Sequence, residues 1–307
     1  MQGQSLSGVI PINKPQGISS AAVVGIVKRA IYNQLGVKIK VGHTGTLDPM
    51  ASGVLPICVG KATRLFGIMS DKVKGYRAEF IFGISSDTLD TTGNVENSSL
   101  PIPTIGAVKE AVRNNIGEIM QLPPKYSAKS VSGVKAYELM RKGGDVELKP
   151  VAVNISDIRI IAINGIENYA DTMSDSDSCK TMLLDIDCGS GTYIRALGRD
   201  IAQYCGAVAC MSSLIRTYSG NITLSQCRNL EDVKVNALEG IIPTAQIVSR
   251  YMPIYELPVN LRHKFLNGVS VQMNTEQERF AVTVDGQIYC IAIQGEYGIK
   301  SVVNLWE

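Results

Sequence analysis

Histidine is nearly absent from this chain of 307 residues: only His43 and His263 occur. Neither sits in an HExxH motif or has a cysteine at ligand spacing, which excludes the common zinc sites. A Ser-His-Asp hydrolase would need one of them near a G-x-S-x-G elbow, and that motif is missing. Cysteines number seven, an odd count, at 58, 179, 188, 205, 210, 227 and 290. They are scattered and form no CxxC, so neither a disulfide framework nor a zinc ribbon is expected. No apolar run approaches the ~20 residues of a membrane span. The opening MQGQSLSGVIPINKPQG lacks both the basic and the apolar region of a secretory signal. A reduced, cytoplasmic protein with no membrane partner is the expectation.

Nucleotide-binding loops fail on counting as well. In GVLPICVGKAT six residues separate Gly53 from Gly60 and Ala62 follows Lys61. A P-loop has four residues between its glycines and Ser or Thr after the lysine. CGSGTY offers only a G-x-G, too little for a dinucleotide site. The loop NGIENYADTMSDSDS carries Asp171, Asp175 and Asp177, but an EF-hand counted from Asp171 would put Ser176 and Met182 where Gly and Glu belong. A solvated hairpin loop is the better reading. No cofactor and no metal is implied.

What remains is an ordinary soluble composition, 45% hydrophobic and 19% charged, at a length that favours roughly two domains. The net charge of +2 hides an asymmetry. Residues 1–150 hold 18 Lys and Arg against 11 Asp and Glu, or +7, leaving −5 for the rest. Lys61, Arg64, Lys72, Lys74 and Arg77 form one basic group, and Lys125, Lys129, Lys135, Arg141 and Lys142 a second. Two such groups in one half fit a polyanionic partner.

Periodicity predicts three amphipathic helices. SSAAVVGIVKRAIYNQLG has Val23, Val24, Ile26, Val27, Ala30 and Ile31 at helical spacing, Ser19 or Ser20 as cap and Gly36 as stop. TIGAVKEAVRNNIG has Thr104 as cap and Ile105, Val108, Val112 and Ile116 on one face. GTYIRALGRDIAQYCG has Thr192 as cap and Ile194, Leu197 and Ile201 inward. Strict alternation predicts strands in YRAEFIFGI, with Tyr76, Ala78, Phe80, Phe82 and Ile84 on one face, in PVAVNISDIRIIAI and in KTMLLDIDCG. Without regular βαβ alternation the class is α+β, with an antiparallel or mixed sheet. Residues about 121–145 read as a basic insertion containing one short helix that ends at Gly143-Gly144. A boundary near 250 precedes a β-rich tail with a turn at Asp285-Gly286. The expected domains are therefore 1–250 and 251–307.

The densest chemistry lies in VGHTGTLDPMASGVLPICVGKATR, residues 41–64. Small residues separate His43 from Asp48, and Asp48-Pro49 reads as a rigid turn that presents a carboxylate. With metals and triads excluded, a carboxylate is the leading nucleophile or base. This block resembles the signature of the TruB family of tRNA pseudouridine synthases. INKPQGISS, KGYRAEFIFGISSDTLDTTG, PPKYSAKSVSGVKAYELMRKG and GSGTYIRALGRD resemble four further blocks of that family, in the family's order, between residues 8 and 220. The bacterial tRNA-specific branch is the nearest match.

The resemblance implies a pseudouridine-synthase fold: a mixed, mainly antiparallel sheet flanked by helices, a protruding insertion, and a small β-rich PUA-like domain at 251–307. It implies isomerisation of uridine 55 in the tRNA T loop, with Asp48 as the catalytic residue. Whether the carboxylate adds to the sugar, adds to the base or abstracts a proton stays open. Arg195 matches the cation that keeps this carboxylate ionised, since a closed pocket favours protonation. Tyr76 matches a tyrosine that stacks on the target base. Tyr193 and Leu214 match pocket positions, Leu214 being equally at home as core. Lys14 and Arg64 match basic positions near the site, Arg64 where the family commonly has Lys. His43 matches the residue that fills the space left when the base is flipped out, an extrusion costing a few kcal/mol. The implied partner is tRNA, through the T arm and also the acceptor stem, with the insertion gripping the loop; no obligatory protein partner is implied and a monomer suffices. Two other classes compete: a noncatalytic tRNA-binding or tRNA-folding protein on the same scaffold, and a glycoside hydrolase, which would need a second carboxyl group ~5–10 Å from the first.

Overall fold

The computed structural model describes residues 6–306 apart from 71, 128, 132, 142, 143, 145 and 274. Its principal strands are β1 (Gly8–Lys14), β2 (Val41–His43), β3 (Ser52–Val59), β4 (Lys74–Phe82), β5 (Gly117–Gln121), β6 (Val151–Ile163), β7 (Thr181–Cys188), β8 (Ala209–Ser219), β9 (Ile254–Glu256), β10 (Arg279–Val284), β11 (Gln287–Gly295) and β12 (Gly298–Asn304). The helices that matter are α1 (Ser20–Leu35), α2 (Ile105–Asn114), α3 (Ala136–Arg141) and α4 (Ile194–Tyr204). The chain divides into two units, one of Met1–Pro49, Gly53–Asp71 and Gly220–Glu307, the other of Met50–Ser52 and Lys72–Ser219.

In the first unit β1 pairs antiparallel with β3, and β3 with β2. The short strand Arg228–Asn229 joins β1 in parallel, so this sheet is mixed. Helix α1 starts where Ser19 accepts a hydrogen bond from the Ala22 N–H, and stops at Gly36, whose φ of 71° ends the helix without steric cost. Of its expected apolar stripe Val23, Val27, Ala30 and Ile31 are buried, whereas Val24 and Ile26 lie at its margins and are only half-buried. In the same unit β10, β11 and β12 form an antiparallel sheet with β9 parallel to β10 at its edge. Asp285 and Gly286, with φ of 53° and 71°, make the tight turn expected of Asp-Gly. One apolar cluster, with Phe280, Val282, Cys290 and Ile299, lies wholly within this tail. A second joins the tail's Ala281, Ile291 and Leu305 to Val9, Val54, Cys58, Leu65 and Met69.

The second unit is built on an antiparallel sheet in the order β8–β4–β7–β6–β5. Burial alternates along β4: Tyr76, Ala78, Phe80 and Phe82 are buried and Arg77 is exposed. Ile84 departs from the expected face. Gly83, at φ 85°, turns the chain, and Ile84 pairs instead with Asn97 in a small hairpin. Helix α2 is capped by Thr104 as expected, but Ile116 lies beyond it and is exposed, because Asn115, the residue just before it, closes the helix. Helix α4 buries Ile194, Leu197 and Ile201. Its cap is Tyr193 rather than Thr192, whose hydroxyl donates instead to the Gly189 carbonyl. Gly198 lets α4 rest on the sheet, since a Cβ there would lie 2.1 Å from the Phe80 ring. In the insertion a hairpin of Ser130–Val131 and Val134–Lys135 leads into α3. Lys142, Gly143 and Asp145 of the expected segment lie outside the described residues.

Two of the three aspartates in the loop after β6 have protein partners. Asp175 pairs with Lys109 at 2.7 Å, and Asp177 accepts from the Ser174 N–H. Among the described residues no group of three or more His, Cys, Asp or Glu could hold a metal ion, and no helix is long and apolar enough to cross a membrane.

Candidate active site

The residues singled out by sequence fall into two groups, one in each unit. In the first, β2 delivers His43 opposite Ile57 of β3, and the chain then leaves the sheet. Leu47 is fixed by a reciprocal pair of buried hydrogen bonds: Ser20 Oγ donates to its carbonyl at 2.9 Å and accepts from its N–H at 2.8 Å. The carbonyl of Pro49 accepts from the Gly17 N–H at 2.8 Å and from Lys14 Nζ at 3.3 Å. Asp48, half-buried, is therefore held between two anchored neighbours. Such anchoring limits the positions its carboxylate can sample, which is what a reacting group requires.

Lys14 is fully buried, and its ammonium also donates to the carbonyls of Pro15 (2.9 Å) and Ile18 (2.8 Å). It ties the KPQGIS turn to the residue after Asp48. With no exposed surface, it holds these main-chain carbonyls together under the loop. Arg64 lies on the 3-10 turn Gly60–Leu65, and its Nη1 donates to the carbonyl of Asn304 at 2.6 Å. Lys61 on the same turn donates to the carbonyl of Trp306 at 3.0 Å. Both cations hold the end of β12.

The second group sits on β4, β8 and α4. Tyr76 is 8% exposed and faces Arg216 of β8 in register, with Leu214 opposite Ala78. Tyr76 and Leu214 are thus diagonal neighbours on adjacent strands, both buried. Arg195, in the first turn of α4, donates to the carbonyls of Thr88 (2.7 Å) and Tyr126 (3.0 Å) and lies 3.5 Å from the carboxylate of Asp90. Both side chains are buried, at 7% and 5% exposure, a setting that requires the pair to be hydrogen-bonded elsewhere too. Asp90 meets that condition by accepting from the Thr92 N–H and from the hydroxyls of Thr88 and Thr92. Tyr193 is half-buried and its N–H donates to the Gln121 side chain at 2.8 Å. Arg199 donates to the Leu122 carbonyl. Helix α4 thereby both presents Arg195 and secures residues 121–126, the root of the insertion.

Three residues of this arrangement escape a reading by motif. Asp90 belongs to the quoted SSDTLDTT turn, and its signal is a carboxylate followed by two threonines able to orient it. Arg216 follows Leu214 by two positions, so strand alternation puts it on the same buried face, and a cation there is the signal. Gln121 carries no signal in sequence, because its partner is 72 residues away.

The TruB family pseudouridylate synthase model for the N-terminal domain matches residues 29–194, more than half the chain. The chain belongs to the TruB family. It is 40% identical over 265 residues to the tRNA pseudouridine synthase B of Caldanaerobacter subterraneus, covering 86% of each chain. To the protein of that name from Clostridium kluyveri it is 35% identical over 300 residues, covering 97% of this chain and 96% of the other. Among solved structures, a chain of an H/ACA RNP bound to a substrate RNA containing 2'-deoxyuridine superimposes with a TM-score of 0.68 at 19% identity, over 98% of this chain and 85% of that one. A chain of a Cbf5–Nop10–Gar1 complex does so with a TM-score of 0.67 at 22% identity, covering 97% and 84%. These likenesses concern the fold alone, and together with the family match they agree with the pseudouridine-synthase fold that the TruB resemblance implied.

Proposed function

We propose that this TruB-family enzyme converts uridine 55 in the T loop of tRNA to pseudouridine, with Asp48 as nucleophile or base. Formation of pseudouridine in tRNA is the activity of the relatives that match this chain over most of its length. The position and the residue roles are our reading. The observation that carries them is the doubly anchored Asp48, set in a loop that also bears His43 five residues earlier.

The base must leave the folded loop to reach a carboxylate, at a cost of a few kcal/mol, and His43 offsets part of this by filling the vacated stack. Asp48 then acts beside the glycosidic bond while the base detaches, turns and rejoins through C5. Tyr76 stacks on the flipped base, Tyr193 and Leu214 line its pocket, and Arg195 supplies positive charge to the site. Lys14 acts through the loop it clamps. Residues 121–145 grip the T loop, and the PUA-like tail reaches the acceptor stem. The basic groups make binding salt-sensitive, while loop shape confers specificity. The protein acts as a cytoplasmic monomer.

The test is to incubate an unmodified tRNA transcript, and the same transcript with cytidine at position 55, and to map pseudouridine by nucleotide. Conversion of the first at position 55 alone is expected. Conversion at another position would preserve the chemistry and overturn the site. Binding of both transcripts without any conversion would establish the noncatalytic reading instead.

A further inference from the structure

We propose that the outer face of α1 and the segment leading into β2 form a second RNA-binding surface, taking the sugar-phosphate backbone of the substrate beside the T loop. Four observations within the first unit lead there. Residues 1–47 contain no Asp or Glu at all, although the chain's 28 carboxylates in 307 residues would place about four in such a stretch. The cations Lys28, Arg29, Lys38 and Lys40 are all exposed, and among the described residues no hydrogen bond or ion pair engages their side chains. Clustered, unneutralised charge of one sign is the electrostatic footprint of a polyanion.

A groove of about 440 Å³ runs along α1, lined by Ala22, Gly25, Ile26, Arg29, Asn33 and by Lys234 from the helix Leu230–Val235. Gly25, Arg29 and Asn33 recur every four residues and so line one row of the helix. Gly25 itself supplies the most direct pointer to a ligand. A glycine inside a helix is less favourable than alanine, yet nothing lies within 4 Å of where its Cβ would stand. Packing within the protein does not demand it, and the missing side chain leaves room for a partner's backbone to approach closely. On the far lip Lys234 is paired with Glu231 at 2.7 Å, so the free charge lies on the α1 side and the strand is assigned to that side.

Continuity with the site supplies the last observation. Lys38 and Lys40 are exposed while Ile39 and Val41 face inward, and β2 ends at His43. At ~3.3 Å per residue, Lys40 lies within about 10 Å of His43 along the chain and Lys38 within about 17 Å. RNA engaged by His43 has its flanking phosphates within reach of these cations. This inference rests on the proposed RNA substrate, and its test separates the two.

Two variants probe the surface with an unmodified tRNA transcript. Lys28→Gln/Arg29→Gln/Lys38→Gln/Lys40→Gln removes the charge, and Gly25→Leu fills the groove at a position with open space above it. Binding is measured across a salt series, conversion under single-turnover conditions with saturating enzyme, and folding by thermal melts. The quadruple variant is expected to bind about tenfold or more weakly at low salt, with a log–log salt slope shallower by about three, since each lost phosphate contact removes ~0.7–0.9. Gly25→Leu is expected to bind about tenfold more weakly with an unchanged or raised melting temperature. Both should convert bound tRNA at the wild-type rate. Unaltered affinity and slope in both variants would overturn the proposal, as would a rate loss at saturation equal to the affinity loss. A wild-type protein that binds tRNA but forms no pseudouridine would refute the catalytic reading while leaving the salt-slope result to decide this one.

Discussion

Asp48 is placed by hydrogen bonds to its two neighbours in the chain. Ser20 fixes Leu47 on one side, and Lys14 with Gly17 fixes Pro49 on the other. Replacing Lys14 by Met leaves three main-chain carbonyls without this donor, and unsatisfied buried acceptors cost about 1–3 kcal/mol. The expected outcome is a loss of that size in chemical denaturation together with a slower single-turnover rate. A stable Lys14→Met protein with the wild-type rate would mean that the clamp does not set the position of Asp48. The cysteines give a second prediction at this scale. Burial pushes the thiols of Cys58 and Cys179 up to about 12, and those of Cys188 and Cys210 to about 11, from the ordinary 9.0. A folded-state value above the unfolded one contributes stability that is complete below about pH 9 and is lost as pH climbs through 11 to 12. The melting temperature should therefore fall steadily over that window. At about pH 8.5 iodoacetamide should modify the half-buried Cys227 before these four, because it is the more accessible thiol. Rapid alkylation of Cys58 in the native protein would contradict the burial.

Elements were legible in sequence wherever one periodicity and one cap decided them. Ser19, Gly36 and the stripe on α1 follow from local rules, as do Thr104 on α2, the alternation of β4 and the Asp285-Gly286 turn. Reading failed at ends decided from afar. The N–H of Tyr193, the cap of α4, is taken by Gln121 while Thr192 bonds Gly189, and no local rule could place the distant partner. The same holds for the site: Asp48 and His43 are recognisable in one loop, whereas the Arg195–Asp90 contact joins residues more than a hundred positions apart. The seat of α4 on the sheet supplies the prediction at this scale. In Gly198→Ala the added Cβ would stand 2.1 Å from the Phe80 ring, and overpacking of this kind costs about 1–3 kcal/mol. Helix α4 must shift and carry Arg195 with it, so a lower denaturation midpoint should be accompanied by a reduced rate at saturating tRNA. A destabilised variant with a normal rate would show that Arg195 tolerates displacement of its helix.

At the scale of the whole molecule, the tail after residue 250 reads in sequence as a separate β-rich domain, and it does have an apolar cluster of its own. The structure adds a dependence that composition does not reveal, since Ile291 and Leu305 are buried together with Val9, Leu65 and Met69 of the N-terminal segments. Burial of each such side chain is worth about 1.5–3 kcal/mol. A chain cut after Arg250 is accordingly expected to lose solubility or cooperative unfolding. A truncated protein that melts like the intact one would show that the shared cluster contributes nothing.

The measurement that bears most directly on the account compares wild type with Asp48→Asn on an unmodified tRNA transcript, reading pseudouridine at position 55 and binding affinity side by side. The account predicts wild-type affinity in both proteins and conversion by the wild type alone. Conversion by Asp48→Asn at an appreciable rate would contradict it, for then the anchored carboxylate would not be the group that acts on uridine.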